Sequence, residues 1–151
     1  MLMAHYQKPS FLLTKVANPM MMKLVKMFGL ERTGVEVLTV NGRTSGKPRP
    51  VPVNPLEYDG KNYLVCPRGE AEWVRNLRAA GIATLEKKGK RAVVSALELP
   101  DAEKAPILKE YLRCWEKAAG SYFGLGANAS IEQLAGIAPK HPVFEITRET
   151  A

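Results

Sequence analysis

The amino-acid sequence predicts a mainly β fold with peripheral helices (α+β), built as a small barrel of about six antiparallel strands. Several short runs alternate apolar and polar residues, which is the period of a half-buried strand. Turn signals such as Asp59-Gly60 separate neighbouring runs and indicate hairpins, whose strands are antiparallel. Long helical stretches do not alternate regularly with the strands, so a doubly wound parallel sheet is not expected.

The first 30 residues predict a helical segment ahead of the strands. After Pro19, apolar residues recur at helical spacing from Met20 to Phe28, and two lysines lie off that face. Two interpretations are open: the segment packs on or beside the barrel, or it is a basic amphipathic helix that touches a membrane or a lipid-like substrate. The apolar run is too short, and too often interrupted by lysine, to span a bilayer.

Strands are predicted from Val35 onwards. The run VEVLTVN alternates, PRPVPVNPLEY places valine or proline at every second position, and KNYLVCP follows a tight turn. Pro50, Pro52 and Pro55 have no N–H to donate to a neighbouring strand. Part of the second strand is therefore expected at an edge of the sheet or in a bulge.

The remaining elements follow in a single domain of 151 residues. Residues 69–81 predict a short helix, because glutamates occupy its first turn, arginines its last, and glycine follows. Residues 82–99 predict a hairpin, and residues 101–120 a longer helix that begins or bends near Pro106. A glycine-rich loop, a short helix capped near Ser130 and a closing strand complete the chain.

Composition and charge indicate an ordinary globular protein with a basic surface. The chain is 46% hydrophobic and 25% charged, as in ordinary globular domains, and its net charge of +7 favours anionic partners without identifying one. Cys66 and Cys114 lack a CxxC spacing, and no secretory signal is recognisable. We expect a cytoplasmic protein with reduced thiols, or one peripheral to the inner face of the cell membrane if the N-terminal helix binds lipid.

Few residues could supply chemistry by themselves. The two histidines, His5 and His141, are far apart, and the acidic residues do not cluster. No metal site is therefore expected. With only two histidines, a Ser/His/Asp catalytic triad is also not expected. A bound organic cofactor is the expected source of any reaction.

The stretch TVNGRTSGKPRPVPVN, residues 39–54, has three cations, two glycines and no acid. Cations, hydroxyls and glycine-permitted backbone suit a phosphate or a carboxylate. The stretch lacks the GxxxxGK[ST] and GxGxxG patterns, so an anion-binding loop and a solvated basic turn remain equal alternatives. The residues concerned are Arg43, Thr44, Ser45, Gly46, Lys47 and Arg49.

The stretches VLTVNGRTSGKPRPVPV, DGKNYLVCPRG and EWVRNLRAAG, in this order, resemble the deazaflavin-dependent nitroreductase family of actinobacteria. That family has a T-x-G-R-x-S-G-x-P-R loop followed by a W-x-x-N-L-R/K-A helix. The likeness covers residues 34–81 and, more weakly, HPVFEI near the C-terminus. It implies a split β-barrel related to flavin-binding oxidoreductases. It also implies coenzyme F420, a deazaflavin with a phosphate and an oligoglutamate tail, as cofactor, with FMN as the alternative.

The resemblance also implies which residues bind the cofactor, with the basic loop holding the anionic tail. The chain has Thr44 where many members have lysine, and Pro67 where serine is common, which removes one cation and one polar contact. The segment between Arg68 and Trp73 is shorter than in the best-known nitroreductases. The matching positions are Arg43, Thr44, Ser45, Gly46, Lys47, Arg49, Pro52, Val53, Cys66, Pro67, Arg68, Trp73 and Asn76.

The implied activity is reduction of a small electrophilic or lipid-like molecule (a quinone, enone, unsaturated lipid or nitro compound) by hydride transfer from reduced F420. Candidate substrate-binding residues are Tyr111, Tyr122 and Phe123, although a core position on its helix is the favoured interpretation of Tyr111. A non-catalytic member that binds cofactor or fatty acid, and an FMN-binding protein, are the alternatives. Nucleic-acid binding is not expected, because no aromatic residue is interleaved with the cations of residues 39–54. No oligomeric state is predicted.

Overall fold

The computed structural model describes residues 34–149, except for the side chains of Ala118 and Ala119. The predicted N-terminal segment at residues 1–30 lies outside this range. As predicted, the described part is mainly antiparallel sheet with peripheral helices. Its strands are β1 (Glu36–Asn41), β2 (Pro48–Val53), β3 (Leu56–Tyr58), β4 (Lys61–Val65), β5 (Ile82–Lys87), β6 (Lys90–Glu98) and β7 (Val143–Arg148). Its helices are α1 (Glu72–Ala80), α2 (Ala105–Phe123) and α3 (Ile131–Ile137), with 3-10 turns at Asp101–Glu103 and Ala138–Lys140.

The sheet is curled into a half-barrel. Its strand order is β2-β1-β5-β6-β7-β4-β3, so β2 and β3 are its two edges. A flat sheet of seven strands spaced about 4.8 Å apart would separate its edge strands by roughly 29 Å. Yet only Asn54 and Pro55 join β2 to β3, and three Cα steps span at most about 11 Å. The short connection therefore requires the two edges to approach each other, which confirms the predicted barrel-like curvature.

The structure has seven strands rather than about six, because the predicted strand at residues 48–58 is divided. The first part, β2, pairs with β1, and the second part, β3, pairs with β4 at the opposite edge. Pro55 lies in the connection, where the absence of an N–H costs nothing.

Strand β2 is an edge strand, as its prolines predict. Pro48, Pro50 and Pro52 lie opposite Asn41, Thr39 and Val37 of β1. Backbone groups of alternate residues point to opposite sides of a strand, and proline cannot donate. The prolines must therefore face away from β1, so the outer edge of β2 presents carbonyl oxygens and no N–H groups. Such an edge does not offer the donors that another strand would need.

Two large hydrophobic clusters fill the described part of the chain, beside a small third one formed by Val37 and Val35. In the first, α1 buries Trp73, Val74 and Leu77 against the sheet, where Leu38 and Phe144 are among their neighbours. In the second, α2 packs against β3 and β4 and α3 packs against α2, with Leu108, Leu112 and Leu134 fully buried. Helix α1 is thus fixed beside the sheet near the segment that follows β1.

Helix α2 differs from its prediction at its end. It begins at Ala105 with Pro106 in its first turn, as expected, but its non-helical residue is Trp115 (φ −134°, ψ 36°). It continues to Phe123, so Tyr122 lies in the last helical turn and not in a glycine-rich loop. Among the described residues, every helix is too short or too polar to cross a bilayer.

Candidate functional site

The loop between β1 and β2, residues 42–47, is a compact, internally bonded structure. The N–H of Gly42 donates to the carbonyl oxygen of Lys47 at 2.9 Å, and the N–H of Gly46 donates to that of Gly42 at 2.9 Å. The Ser45 hydroxyl accepts a hydrogen bond from the Lys47 N–H at 3.2 Å. The sequence suggested that the Gly46 N–H could donate to a bound anion. In the structure this N–H already donates to the Gly42 carbonyl oxygen within the loop.

At position 42 a side chain would displace the Ser45 hydroxyl, which accepts a hydrogen bond from the Lys47 N–H. A Cβ there would lie 2.6 Å from Ser45 Oγ and 3.8 Å from Arg49 Nε. Gly46 is required for a different reason, because its φ of +70° lies in the left-handed region that other residues avoid. Both glycines of the motif thus serve the shape of the loop.

Helix α1 fixes this loop through Asn76. The Asn76 side chain is buried, and its Oδ1 accepts hydrogen bonds from Arg43 N at 3.0 Å and from Arg43 Nη1 at 2.9 Å. Arg43 Nη1 also donates to Glu72 Oε2 at 2.9 Å. Because both groups facing the Asn76 amide are donors, its oxygen must be the atom turned towards them. The basic loop is therefore joined directly to the helix that carries the W-x-x-N motif.

The other two cations of the stretch are differently placed. Lys47 and Arg49 are exposed, and neither forms an ion pair with any residue between 34 and 149. Thr44 and Ser45 are also exposed beside them. This part of the loop can therefore offer positive charge and hydroxyl groups to a bound anion.

Several predicted cofactor contacts have side chains in the core instead. Trp73 is 8% exposed and packs its ring 6.2 Å from that of Phe144, while Val53 is 9% exposed in the same cluster. Cys66 is 1% exposed, and burial raises the pKa of its thiol to about 11. Any contact of these positions with a bound molecule would therefore run through their backbone, which is what the resemblance implies for Val53 and for the half-buried Pro52 beside it.

The segment between β4 and α1 contains Pro67 and Arg68, both half-buried. The Pro67 carbonyl oxygen lies 2.9 Å from His141 Nδ1, which must carry the proton, since a carbonyl only accepts. His141 is 1% exposed and stacks edge-on against Phe123 at 4.3 Å. Sequence reasoning missed this link, for which a histidine just before an apolar strand was the only signal.

The three candidate substrate residues do not lie together with the basic loop. Tyr111 and Phe123 are buried in the second cluster, with their rings edge to face at 6.1 Å. Burial raises the pKa of Tyr111 to about 12, against the opposing effect of a hydrogen bond with Asn54. Tyr122 is half-buried in the last turn of α2. The core interpretation of Tyr111 is the one that its burial supports.

Comparisons with known proteins agree with the fold and with the predicted use of F420. Residues 14–122 match the model of a family described as F420H(2)-dependent quinone reductase. A solved F420-H2 dependent reductase (FDR-A) aligns with a TM-score of 0.54 at 21% identity, covering 76% of this chain and 94% of its own. No curated protein sequence matches the chain.

Two further solved structures share the fold. A putative pyridoxamine 5'-phosphate oxidase from Listeria innocua aligns with a TM-score of 0.53 at 16% identity, covering 82% of this chain and 90% of its own. A NimC/NimA family protein from Clostridium acetobutylicum aligns with a TM-score of 0.52 at 18% identity, covering 83% and 81%. At such identities the likeness concerns the fold alone.

Proposed function

The chain belongs to the F420H(2)-dependent quinone reductase family, and from this premise we propose that it reduces quinone-type electrophiles while its basic loop holds the tail of the cofactor. The protein is an F420H2-dependent reductase, and coenzyme F420 is its cofactor. The family match gives the FMN alternative no support. The specific substrate and the residues that hold the cofactor are our proposals.

The chemistry of the loop fits the tail of F420. A phosphate followed by an oligoglutamate chain needs several cationic or hydrogen-bonding partners. The observation that carries the proposal is the pair of exposed cations, Lys47 and Arg49, neither of which has an acidic partner among the described residues. The neighbouring hydroxyls of Thr44 and Ser45 add donors on the same loop.

The edge of β2 beside this loop suits the polar rim of a flat ring. Its outward carbonyl oxygens, those of Pro48, Pro50 and Pro52, accept hydrogen bonds from N–H or O–H groups. The protein would bind and orient the cofactor there, with the tail on Lys47 and Arg49. When bound, reduced F420 supplies the hydride that an electrophilic carbon of the substrate accepts. A quinone is the first candidate, followed by enones, unsaturated lipids and nitro compounds.

Turnover tests this proposal. The purified protein is mixed with reduced F420 and menadione, and oxidation of the cofactor is followed by its absorbance. We expect protein-dependent oxidation with menadione, absent without protein and absent when reduced FMN replaces reduced F420. No turnover with menadione, cyclohexenone or a nitroimidazole, despite tight F420 binding, would contradict it. Co-purified fatty acid without any affinity for F420 would favour the non-catalytic alternative instead.

A further inference from the structure

We propose that Asn76 is a positioning residue for the cofactor's tail, and that Arg43 anchors the loop on α1 rather than binding the tail itself. The inference rests on the proposed role of loop 42–47. It divides the cations of residues 39–54 into one with a structural task, Arg43, and two that meet the anion, Lys47 in the loop and Arg49 in β2. We call Arg43, Glu72 and Asn76 together the loop anchor.

The first argument is the burial of Asn76. An amide with 5% exposure must find its hydrogen bonds inside the protein, and its oxygen finds two on Arg43, one from the backbone and one from the guanidinium. Removing the oxygen would leave the Arg43 N–H without this acceptor, which is costly for a partly buried backbone donor. The contact joins residues 33 apart in sequence, so it fixes the loop relative to α1.

The second argument is the charge around Arg43. Its Nη1 is shared by the Asn76 oxygen and the Glu72 carboxylate, and its side chain is 34% exposed. A carboxylate 2.9 Å from the guanidinium offsets its positive charge and would repel an anionic tail brought to the same group. Lys47 and Arg49 have no such neighbour among the described residues.

The third argument is the position of the anchor in the loop. Arg43 follows Gly42, whose backbone bonds to Lys47 and Gly46 define the turn. Fixing the position of Arg43 therefore fixes the turn, and with it the position of the Lys47 backbone. Loss of the anchor should loosen the loop before any ligand arrives.

Hydrogen exchange in the cofactor-free protein tests the anchor directly. We expect the Gly42 and Gly46 N–H groups to exchange about tenfold faster in Asn76→Leu and in Arg43→Met than in the wild type. Lys47→Met is the matched control, because it removes a cation of the same loop but no anchor bond, and it should leave these rates unchanged. Asn76→Asp keeps an acceptor oxygen and should restore the slow exchange.

A double-mutant cycle on F420 affinity tests the role in binding. We expect Asn76→Leu and Arg43→Met each to weaken binding about tenfold, and the double variant to weaken it no further, because both remove the same anchor. The double variant Lys47→Met/Asn76→Leu should lose F420 affinity by the product of the two single losses, because these substitutions remove independent interactions. Thermal unfolding of each variant checks that the fold is intact.

Two results would overturn the inference. Additive losses in the Arg43/Asn76 pair, about a hundredfold together, would mean that Arg43 contacts the tail itself. Unchanged exchange at Gly42 and Gly46 in Arg43→Met, which is informative even if Asn76→Leu does not fold, would mean that no anchor exists. A wild-type protein that does not bind F420 would instead contradict the proposed function, while the exchange experiment would still decide whether the anchor exists.

Discussion

Lys47 and Arg49 carry exposed positive charge on or beside loop 42–47, whereas Arg43 shares its guanidinium with Asn76 and Glu72. The three cations of residues 39–54 look alike in the sequence, but only Arg43 is hydrogen-bonded to neighbouring side chains in the described structure. Trp73, which the family motif pairs with Asn76, is a core residue that fixes α1 and only indirectly the loop. Burial and hydrogen bonding, rather than residue type, separate these roles.

Cys66 gives a prediction about pH. Burial raises the pKa of its thiol from 9.0 to about 11 in the folded protein. Between these values the unfolded chain loses the thiol proton while the folded protein keeps it, so the free energy of unfolding falls as pH rises. We expect Cys66→Ala to be less stable at pH 7 but to lose less stability between pH 9 and 11. Denaturant unfolding at several pH values measures this.

Cys114 is the matched control for that prediction. It is exposed, and although partial burial also raises the pKa of its thiol, Cys114→Ala should alter the fall between pH 9 and 11 less than Cys66→Ala does. In the native protein, a thiol reagent should label Cys114 first and Cys66 only after unfolding. Rapid labelling of Cys66 in the native protein would contradict its burial. So would a pH dependence of unfolding in Cys66→Ala that equals the wild type's.

Helix α1 is joined to the sheet at its last turn by Arg78. The guanidinium donates to Glu70 at 2.9 Å and to Glu98 of β6 at 2.7 Å, and these carboxylates raise its pKa. The side chain is 42% exposed, so solvent screens part of the interaction. We expect Arg78→Met to lower the free energy of unfolding by about 1 kcal/mol in chemical denaturation.

Arg113 provides the comparison for this network. It pairs with Glu110 within α2, with a side chain 68% exposed, and joins no second element of the described chain. Arg113→Met should therefore leave the midpoint of denaturation unchanged within error. Equal effects of the two substitutions would mean that the Arg78 network contributes no more than an ordinary surface pair.

Elements could be predicted from the sequence where the signal is local. Proline at every second position placed β2 at an edge or in a bulge, and the structure has it at an edge. The cap predicted near Ser130 is a capping box between Ser130 and Gln133. The division at Asn54-Pro55 was missed, because only long-range pairing with β1 and β4 distinguishes the two parts. The helical position of Tyr122 was missed since Gly124, and not Gly120, ends α2.

The same limit applies to the candidate site. The loop motif was recognisable from its residues, but the hydrogen bonds between Arg43 and Asn76 depend on how α1 packs beside β1. Packing of that kind follows from the whole core, which a local pattern does not contain. A buried asparagine between Trp73 and Leu77 was the signal that a polar partner had to exist.

At the scale of the whole molecule, the last strand completes the sheet. Strand β7 lies between β6 and β4, so it joins the two halves of the sheet. It also brings Val143, Phe144 and Ile146 into the two clusters. Burying three such side chains contributes about 5–9 kcal/mol, comparable with the total stability of a small domain.

Removal of this strand should therefore abolish the fold. We expect a chain ending at Pro142 to show no cooperative unfolding transition, as measured by circular dichroism during denaturation. Phe144→Ala, a milder change in full-length protein, should cost about 3–5 kcal/mol because it leaves a cavity. A truncated chain that still unfolds cooperatively would mean that the sheet does not depend on β7.

The central claim is that an exposed cation beside the loop binds the tail of F420, and a fluorescence titration of F420 tests it most directly. The comparison is between the wild type, Arg49→Ala and Arg91→Ala, the last being an exposed arginine on β6. We expect Arg49→Ala to weaken binding at least about tenfold, or about 1.4 kcal/mol, and Arg91→Ala to leave it unchanged. Equal affinity of Arg49→Ala and the wild type would contradict the claim.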